Sequence, residues 1–72
     1  MANSQNELGN QLREIRTQQN YTQAELAALV GVSRKTINTV ENRVFIPSTL
    51  LALKLADALN TKVEELFYLA TD

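Results

Sequence analysis

Residues 34–42 carry the side chains of this sequence that are best suited to binding chemistry. Only Ile37 and Val40 are apolar there, and their helical spacing predicts a helix held to a core by one side. The other faces are left to cations, short amides and hydroxyls, which can hydrogen-bond to base edges and phosphate oxygens. This pattern is typical of a helix that enters the major groove of DNA. The polar residues are Arg34, Lys35, Thr36, Asn38, Thr39 and Asn42.

The residues before this helix predict a second helix and the turn that positions both. Thr22 and Glu25 have the spacing of a capping box, in which each side chain accepts a hydrogen bond from the backbone N–H of the other residue. Gly31 can adopt the left-handed conformation that ends a helix, and Ser33 can cap the next one. We therefore expect helices over residues 23–30 and 34–42, joined by a tight turn.

Composition excludes several other classes of protein. The chain has 72 residues, enough for one domain, and 44% of them are hydrophobic. It contains no Cys and no His, which removes disulfides, thiolate metal ligands and the commonest general base. The carboxylates fall mostly on exposed helix faces or in caps. We therefore expect no metal, no cofactor, no small-molecule ligand and no enzymatic activity.

The distribution of apolar residues bears on localisation. No apolar stretch approaches the roughly 20 residues of a membrane span, because Lys54 and Asp57 interrupt the longest one. The N-terminal sequence MANSQNELG has neither a basic region nor an apolar stretch, so it does not resemble a signal peptide. These features predict a cytoplasmic protein that does not enter a membrane.

The net charge of −1 is unusual for a protein that binds nucleic acid. Residues 1–45 carry five cations and four anions, whereas residues 46–72 carry two cations and four anions. The basic groups therefore fall toward the proposed DNA-binding helix. Non-specific affinity should still be weak, because it comes mostly from counterion release, and a second copy of the chain would strengthen it.

The rest of the chain predicts three further helices and no sheet. Ser48 after Pro47 is suited to cap one helix, and Glu64 and Glu65 fall in the first turn of the last, where the helix dipole favours anions. Residues 44–46 have strand-like side chains, but a proline follows at once. The expected helices cover residues 7–18, 49–59 and 62–69, in a single all-α domain of residues 1–72 whose residues 1–5 are frayed.

The sequence TQAELAALVGVSRKTINTVEN at residues 22–42, followed by Pro47-Ser48 and LALKLADAL at 51–59, resembles the phage-repressor and Cro-like helix-turn-helix family. The similarity is greatest to its short, stand-alone bacterial or phage-type regulators and covers nearly the whole chain. It implies a five-helix, lambda-repressor-like domain that binds double-stranded operator DNA, usually as a symmetric dimer.

The resemblance also implies roles for the matching residues. Base edges are contacted by Arg34, Lys35 and Thr39. Phosphates or the edge of the groove are contacted by Gln23, Ser33, Thr36, Asn38, Asn42 and Arg43. An internal ion pair between the first and third helices is formed by Arg16 and Glu41.

Several of these residues also have an interpretation without DNA. Arg34 and Lys35 could be solvated charges, but cations at a helix N-terminus oppose the dipole, and a phosphate or guanine partner explains them better. Thr39 and Arg43 are equally compatible with exposed positions that have no function. Gln23 could be an ordinary first-turn residue, although unpaired backbone N–H groups beside it favour phosphate binding.

Three positions depart from the family pattern. Arg43 replaces a frequent Gly, so a non-Gly residue is expected in a left-handed conformation at a cost of about 1 kcal/mol. Thr49 occupies the place of a core Leu, which could expose Leu50 or rotate the start of its helix. Lys62 occupies the place of a Ser cap, so the last helix is expected to begin one residue earlier, from Thr61.

The C-terminal part holds more apolar residues than a small core needs. We predict an isologous dimer interface there, with residues 62–72 as a dimerisation helix and tail. The alternative is a frayed apolar tail at Tyr68 and Leu69. The predicted interface residues are Leu50, Leu66, Tyr68 and Leu69.

Two functions from different classes fit these features. The first is a sequence-specific transcriptional regulator, in the simplest case a repressor, that binds a pseudo-palindromic operator as a homodimer with half-site centres about 34 Å apart. The second is an antitoxin or phage-type partner protein whose acidic and apolar C-terminal face binds another protein, with DNA binding for autoregulation. Capture of a stable hetero-partner would favour the second.

Overall fold

The computed structural model describes residues 7–70, which form five helices and one pair of antiparallel strands. The frayed segment predicted for residues 1–5 and the last two residues of the predicted tail lie outside the described residues. The elements in chain order are β1 (Leu8–Asn10), α1 (Leu12–Gln18), α2 (Gln23–Val30), α3 (Arg34–Glu41), α4 (Thr49–Ala58), α5 (Val63–Leu66) and β2 (Phe67–Leu69).

Each helix contributes at least one fully buried side chain to a common core. Leu12, Leu26, Ile37, Leu55 and Leu66, one from each helix in turn, are all 0% exposed. Burial of one such side chain contributes about 1.5–3 kcal/mol, so these contacts supply much of the driving force for folding. The predicted all-α, five-helix architecture is confirmed, with a small sheet added to it.

The caps of the middle helices follow the predicted local chemistry. The Thr22 side chain accepts from the Glu25 backbone N–H at 3.0 Å, and the Glu25 carboxylate accepts from the Thr22 N–H at 2.8 Å. Gly31 ends α2 with a φ of 77°. Ser33 and Ser48 accept from the backbone N–H three residues on, at the starts of α3 and α4. The turn between α2 and α3 is therefore determined by local contacts.

The two ends of the described segment, residues 7–70, differ from the sequence expectation. The predicted first helix over residues 7–18 begins only at Leu12, and the predicted last helix ends at Leu66. The residues left over pair as β1 and β2, with Leu8 opposite Leu69 and Asn10 opposite Phe67. The expectation of no sheet was therefore wrong. Helical periodicity within each end did not reveal that the two ends hydrogen-bond to each other.

Gly9 allows the two strands and the Tyr68 side chain to pack closely together. It lies opposite Tyr68, and a Cβ placed on it would come within 2.4 Å of the Tyr68 ring. The Tyr68 ring therefore packs against the backbone of β1, where only glycine leaves room. Gly9, which falls within the first predicted helix over residues 7–18, is therefore a strand residue with a packing role.

The three departures from the family pattern have different outcomes. Arg43 adopts a left-handed φ of 63°, as predicted. Leu50 is 64% exposed while the next residue, Leu51, is buried, so the predicted exposure of Leu50 is confirmed. The last helix does not start early, because Lys62 is its N-cap and Val63 its first residue. The Glu65 carboxylate accepts from the Lys62 N–H and the Thr61 hydroxyl, which is the reciprocal half of a capping box, whereas the N-cap itself supplies no side-chain acceptor.

The hydropathy of the helices bears on whether the protein crosses a membrane. Within residues 7–70, no helix has the length and apolar content needed to cross a membrane.

Candidate nucleic-acid interface

The first two residues of helix α3 are exposed to solvent, and apolar residues later in the helix pack into the core. Ile37 and Val40 are buried at 0% and 1% exposure, whereas Arg34 and Lys35 are exposed. Among the described residues, neither Arg34 nor Lys35 has an ion-pair partner. Two cations thus project from the start of a helix whose own dipole does not favour them.

The start of α2 lies beside this cationic end. Thr22, Gln23, Ala24 and Arg34 line one shallow surface depression. The first N–H groups of a helix have no acceptor within the helix. At the start of α2 the Thr22 hydroxyl accepts only one of them, the N–H of Glu25. The backbone of α2 and the Arg34 guanidinium therefore add positive potential at one place, which suits an anion such as a phosphate.

The other end of α3 is fixed by a buried carboxylate. The side chain of Glu41 is 0% exposed and pairs with Arg16, whose side chain is 10% exposed. Arg16 Nε donates to Glu41 Oε2 at 2.6 Å, and a second guanidinium nitrogen donates to Oε1 at 3.2 Å. The remaining nitrogen of Arg16 donates to the carbonyl oxygen of Tyr21 at 2.8 Å. The ion pair expected between the first and third helices is therefore present, with the geometry of a strong bidentate contact.

The surroundings of Glu41 change its pKa in two opposing ways. Burial raises the pKa, because it disfavours the charged form. Hydrogen bonds from Arg16 and Gln23, together with the positive charge of Arg16, outweigh that effect. The net pKa of Glu41 lies below its ordinary value of 4.5, so the carboxylate is ionised at neutral pH.

The contacts of Glu41 extend to two residues that sequence reasoning did not assign to it. Gln23 Nε2 donates to Glu41 Oε1 at 3.0 Å, and Arg13 Nε approaches the same oxygen at 3.4 Å. Arg13 lies one helical turn before Arg16, and that spacing was the available signal for it. The side-chain donors of Gln23 are engaged inside the protein, so its predicted phosphate contact is left to its backbone N–H.

Two further polar residues of this region are joined to the same network. Asn38 Oδ1 accepts from Gln23 Nε2 at 3.2 Å and from Asn42 Nδ2 at 3.2 Å. Asn42 Oδ1 in turn accepts from Arg13 at 3.1 Å. Helices α1, α2 and α3 are therefore tied together at the C-terminal end of α3.

The hydroxyls along the outer side of α3 have local partners. The Ser33 and Thr36 hydroxyl oxygens lie 3.0 Å apart. The Thr39 hydroxyl lies within 3.0 Å of the carbonyl oxygens of Lys35 and Thr36 and donates to them. A Thr39 hydroxyl that donates to the helix leaves its methyl group and its lone pairs for DNA. Its base contact and the contacts of Ser33 and Thr36 with phosphate stay predictions.

Arg43 follows α3 on the same side of the protein as the first strand. Its guanidinium lies 3.4 Å from the carboxylate of Glu7, and both side chains are largely exposed, at 45% and 70%. A pair of this kind is weak in water. The Arg43 guanidinium thus stays available for the phosphate contact predicted for it.

The residues predicted to form the dimer interface do not all lie on one surface. Leu66 is 0% exposed and belongs to the core, so its assignment to the interface was wrong. Helix α5 has only four residues, and the expected dimerisation helix over residues 62–69 is therefore replaced by a turn of helix and a strand. Leu50, Tyr68 and Leu69 are exposed at 64%, 44% and 70%. Tyr68 packs over Gly9, and successive strand residues point to opposite faces, so Leu69 lies on the other face.

A capped helix pair, a tight turn and a second helix with exposed cations together define a helix-turn-helix DNA-binding domain. The helix-turn-helix family model matches residues 12–66. The chain belongs to the phage-repressor and Cro-like branch of that family and is a transcriptional regulator.

Relatives and solved structures agree with this assignment. Over 60 residues the chain is 40% identical to YgzD, an HTH-type transcriptional regulator of Bacillus subtilis, covering 83% of this chain and 91% of that protein. The restriction-modification controller protein C.AhdI from Aeromonas hydrophila has a similar structure, with a TM-score of 0.72 and 39% identity over 75% of this chain and 82% of its own. The SOS-response transcriptional repressor LexA from Eubacterium rectale matches with a TM-score of 0.71 and 31% identity, over 85% of this chain and 62% of its own.

Proposed function

We propose that this regulator is a repressor that binds a pseudo-palindromic operator as a homodimer. The observation that carries the proposal is the pair of exposed cations, Arg34 and Lys35, without ion partners in residues 7–70, at the start of a helix fixed at its other end. LexA, a structural neighbour, is named a transcriptional repressor. Occupation of promoter DNA is sufficient for repression by a domain of this size.

Direct readout of guanine follows from the chemistry of these two residues. An Arg guanidinium can donate to guanine O6 and N7 together, and a Lys ammonium can reach the same atoms. Each such contact discriminates against the wrong base by about 1–3 kcal/mol. We therefore expect at least one guanine in each half-site opposite the N-terminal end of α3.

Phosphate contacts position the helix in the groove. We assign these contacts to the backbone N–H groups at the start of α2 and to the guanidinium of Arg43. The Asn42 NH₂ lies 2.9 Å from the carbonyl oxygen and 3.2 Å from Oδ1 of Asn38, so its donors are engaged inside the protein and the phosphate contact predicted for Asn42 is not assigned to its side chain. Ser33 and Thr36 lie at the start of α3, where their hydroxyls reach the edge of the groove. These contacts set the register of the protein on the duplex and carry no sequence information themselves.

A second copy of the chain compensates for the acidic balance of the domain. We assign the dimer contact to an apolar patch of Phe45, Ile46, Leu50 and Leu69, all exposed. Phe45 shares one surface depression with Leu50, and Phe45 and Ile46 share another with Leu8, the strand partner of Leu69. These depressions connect the start of α4 to the strand pair, so the patch offers one surface for an isologous contact. Tyr68, on the opposite face of the strands, lies outside this patch.

The first experiment is selection of bound sequences from a random DNA library at low salt. The wild-type protein should enrich a symmetric motif that contains guanine, and R34A and K35A should relax the preference at those positions. K62A removes one exposed cation at the far end of the chain and should select the wild-type motif. Absence of any enriched motif would refute sequence-specific binding.

The dimer is tested separately by analytical ultracentrifugation. The wild-type protein should sediment as a dimer, and I46D should shift it to the monomer, because a charge in the centre of an apolar interface has no partner. L29D places the same charge on an exposed leucine of α2 and should leave the dimer intact. A dimer that persists in I46D would show that another surface is used. Insertion of the selected motif into a promoter then tests repression, since activation of that promoter would contradict it.

A further inference from the structure

Three side-chain amides meet where α3 faces the start of α2, and their neighbours determine which way each one points. They belong to Gln23, Asn38 and Asn42. An amide offers two N–H donors at one end and an oxygen acceptor at the other. A neighbour that can only accept, or only donate, fixes the orientation of the amide beside it.

The first constraint comes from Glu41. Its ionised carboxylate only accepts hydrogen bonds, so the group of Gln23 that lies 3.0 Å from Oε1 must be the NH₂. The same nitrogen lies 3.2 Å from the side chain of Asn38. Because an NH₂ group only donates, the Asn38 atom that faces Gln23 must be its oxygen, Oδ1.

The second constraint is independent and starts from Arg13. A guanidinium only donates, so the Asn42 atom at 3.1 Å from Arg13 must be Oδ1. The Asn42 NH₂ is then directed at α3, where it lies 2.9 Å from the carbonyl oxygen of Asn38 and 3.2 Å from the Asn38 side chain. This contact again requires the oxygen of Asn38. Both constraints therefore give Asn38 the same orientation.

The oxygen of Asn38 is occupied by two donors, and its NH₂ has no acceptor within residues 7–70. We propose that Asn38 contacts the operator only as a donor, through its Nδ2, and that the acceptor is a DNA phosphate oxygen. The inference rests on the proposed DNA-binding function. It assigns to Asn38 a fixed polarity that its sequence position alone left open.

The position of Asn38 favours phosphate over a base edge. An Asn that reads adenine uses its oxygen and its nitrogen together, and here the oxygen is already engaged. The Asn38 side chain is short, half-buried and held on both sides by Gln23 and Asn42. It therefore reaches the wall of the groove, where the phosphates lie, more easily than the floor.

The test uses duplexes of the selected operator in which one phosphate at a time is replaced by an uncharged methylphosphonate. In the wild-type protein, replacement of the phosphate that faces Asn38 should weaken binding about tenfold, as expected for loss of a charge-assisted hydrogen bond. In N38A the same replacement should weaken binding by no more than about twofold, while the other phosphates keep their effects. Equal effects at every phosphate in the two proteins would refute the contact.

A second variant tests the donor polarity. N38D keeps an oxygen for Gln23 and Asn42 but turns the outward NH₂ into a second acceptor, so its affinity should fall below that of N38A. Q18E adds the same charge on an exposed face of α1 near Glu64 and Glu65 and should bind like wild type. Affinity of N38D equal to wild type, or a changed base preference in N38A, would overturn the proposal. Failure of the wild-type protein to select any motif would instead refute the proposed function, and this inference with it.

Discussion

The two ends of α3 have opposite surroundings. At its N-terminal end, Arg34 and Lys35 are exposed and have no ion partner in the described part of the chain. At its C-terminal end, the carboxylate of Glu41 is fully enclosed by Arg16, Gln23 and Arg13. The N-terminal end of α3 is available for a ligand, and the C-terminal end is held by contacts within the protein.

This difference separates the binding of DNA from the stability of the domain. Groups that contact a ligand must be unpaired before it arrives, and they therefore contribute little to folding. Groups that fix the direction of the helix must be satisfied inside the protein. Substitutions at the two ends of α3 should accordingly change different measurements.

The largest effect is expected for Glu41→Ala. It leaves Arg16 largely buried without its carboxylate, which should lower the free energy of unfolding by about 3–5 kcal/mol. Chemical denaturation followed by circular dichroism measures this change. The total stability of a small domain is as low as about 5 kcal/mol, so partial unfolding at 25 °C is within the expected range. A loss below about 1 kcal/mol would show that the C-terminal end of α3 is held by its apolar contacts alone.

Arg34→Ala should lower the affinity for DNA and leave the stability of the domain nearly unchanged. Affinity for the selected operator should fall by about 1–3 kcal/mol if the proposed guanine contact of Arg34 is lost. The free energy of unfolding should stay within about 0.5 kcal/mol of the wild type, since the side chain is exposed. Fluorescence anisotropy and denaturation on the same preparation give both values. A loss of stability comparable to the loss of affinity would remove the distinction between the two ends.

Arg43→Gly should raise the free energy of unfolding by up to about 1 kcal/mol. Arg43 has a φ of 63°, which glycine adopts without a Cβ clash. The exposed contact with Glu7 that is lost is weak. Arg43→Ala is the matched control, because it loses the same guanidinium but keeps the strained Cβ. If the Arg43→Ala variant were as stable as the Arg43→Gly variant or more stable, backbone strain at Arg43 would be excluded.

The smallest effect is confined to acidic solution. The pKa of Glu41 is lowered in the folded protein, so the unfolded chain binds more protons as the pH falls below the ordinary value of 4.5. The stabilisation is fully present above that value and is lost as the pH falls through the lower, folded pKa. Glu41→Gln should therefore flatten the fall of stability in acid, measured as the slope of the unfolding free energy against pH.

Glu65 provides the comparison for that measurement. The Thr61 hydroxyl and the Lys62 N–H lower its pKa as well, but at a fully exposed site. Glu65→Gln should change the slope less than Glu41→Gln does, because solvent screens the exposed interactions. A larger change for Glu65 would mean that the network around Glu41 is not the main source of acid sensitivity.

The middle of the molecule could be predicted from sequence because its signals are local. The Thr22–Glu25 capping box, the left-handed Gly31 and the Ser33 cap act over about one helical turn, and all are present in the structure. The family pattern then supplied the Arg16–Glu41 pair, which joins residues far apart in sequence. The Gly that the family often has at the position of Arg43 correctly predicted a left-handed backbone there.

The candidate site was predictable in its exposed part and not in its internal part. The cations of α3 were identified from residue type and position. The role of Gln23 inside the Glu41 network was not, because a residue at the start of a helix gives no sign of the carboxylate it will meet. The assignment of Leu66 to an interface failed for a related reason, since apolar residues close together in sequence do not show which of them the core will enclose.

The sequence by itself determined the three middle helices, their caps and the polar face of α3, since these follow from contacts between residues a few positions apart. Only the tertiary structure decided the pairing of β1 with β2, the enclosure of Glu41 and the orientation of the Asn38 amide. Each of these depends on groups brought together from different helices or from the two ends of the described chain. A backbone hydrogen bond or a buried charge takes whichever partner folding places beside it, and spacing along the chain does not encode that choice.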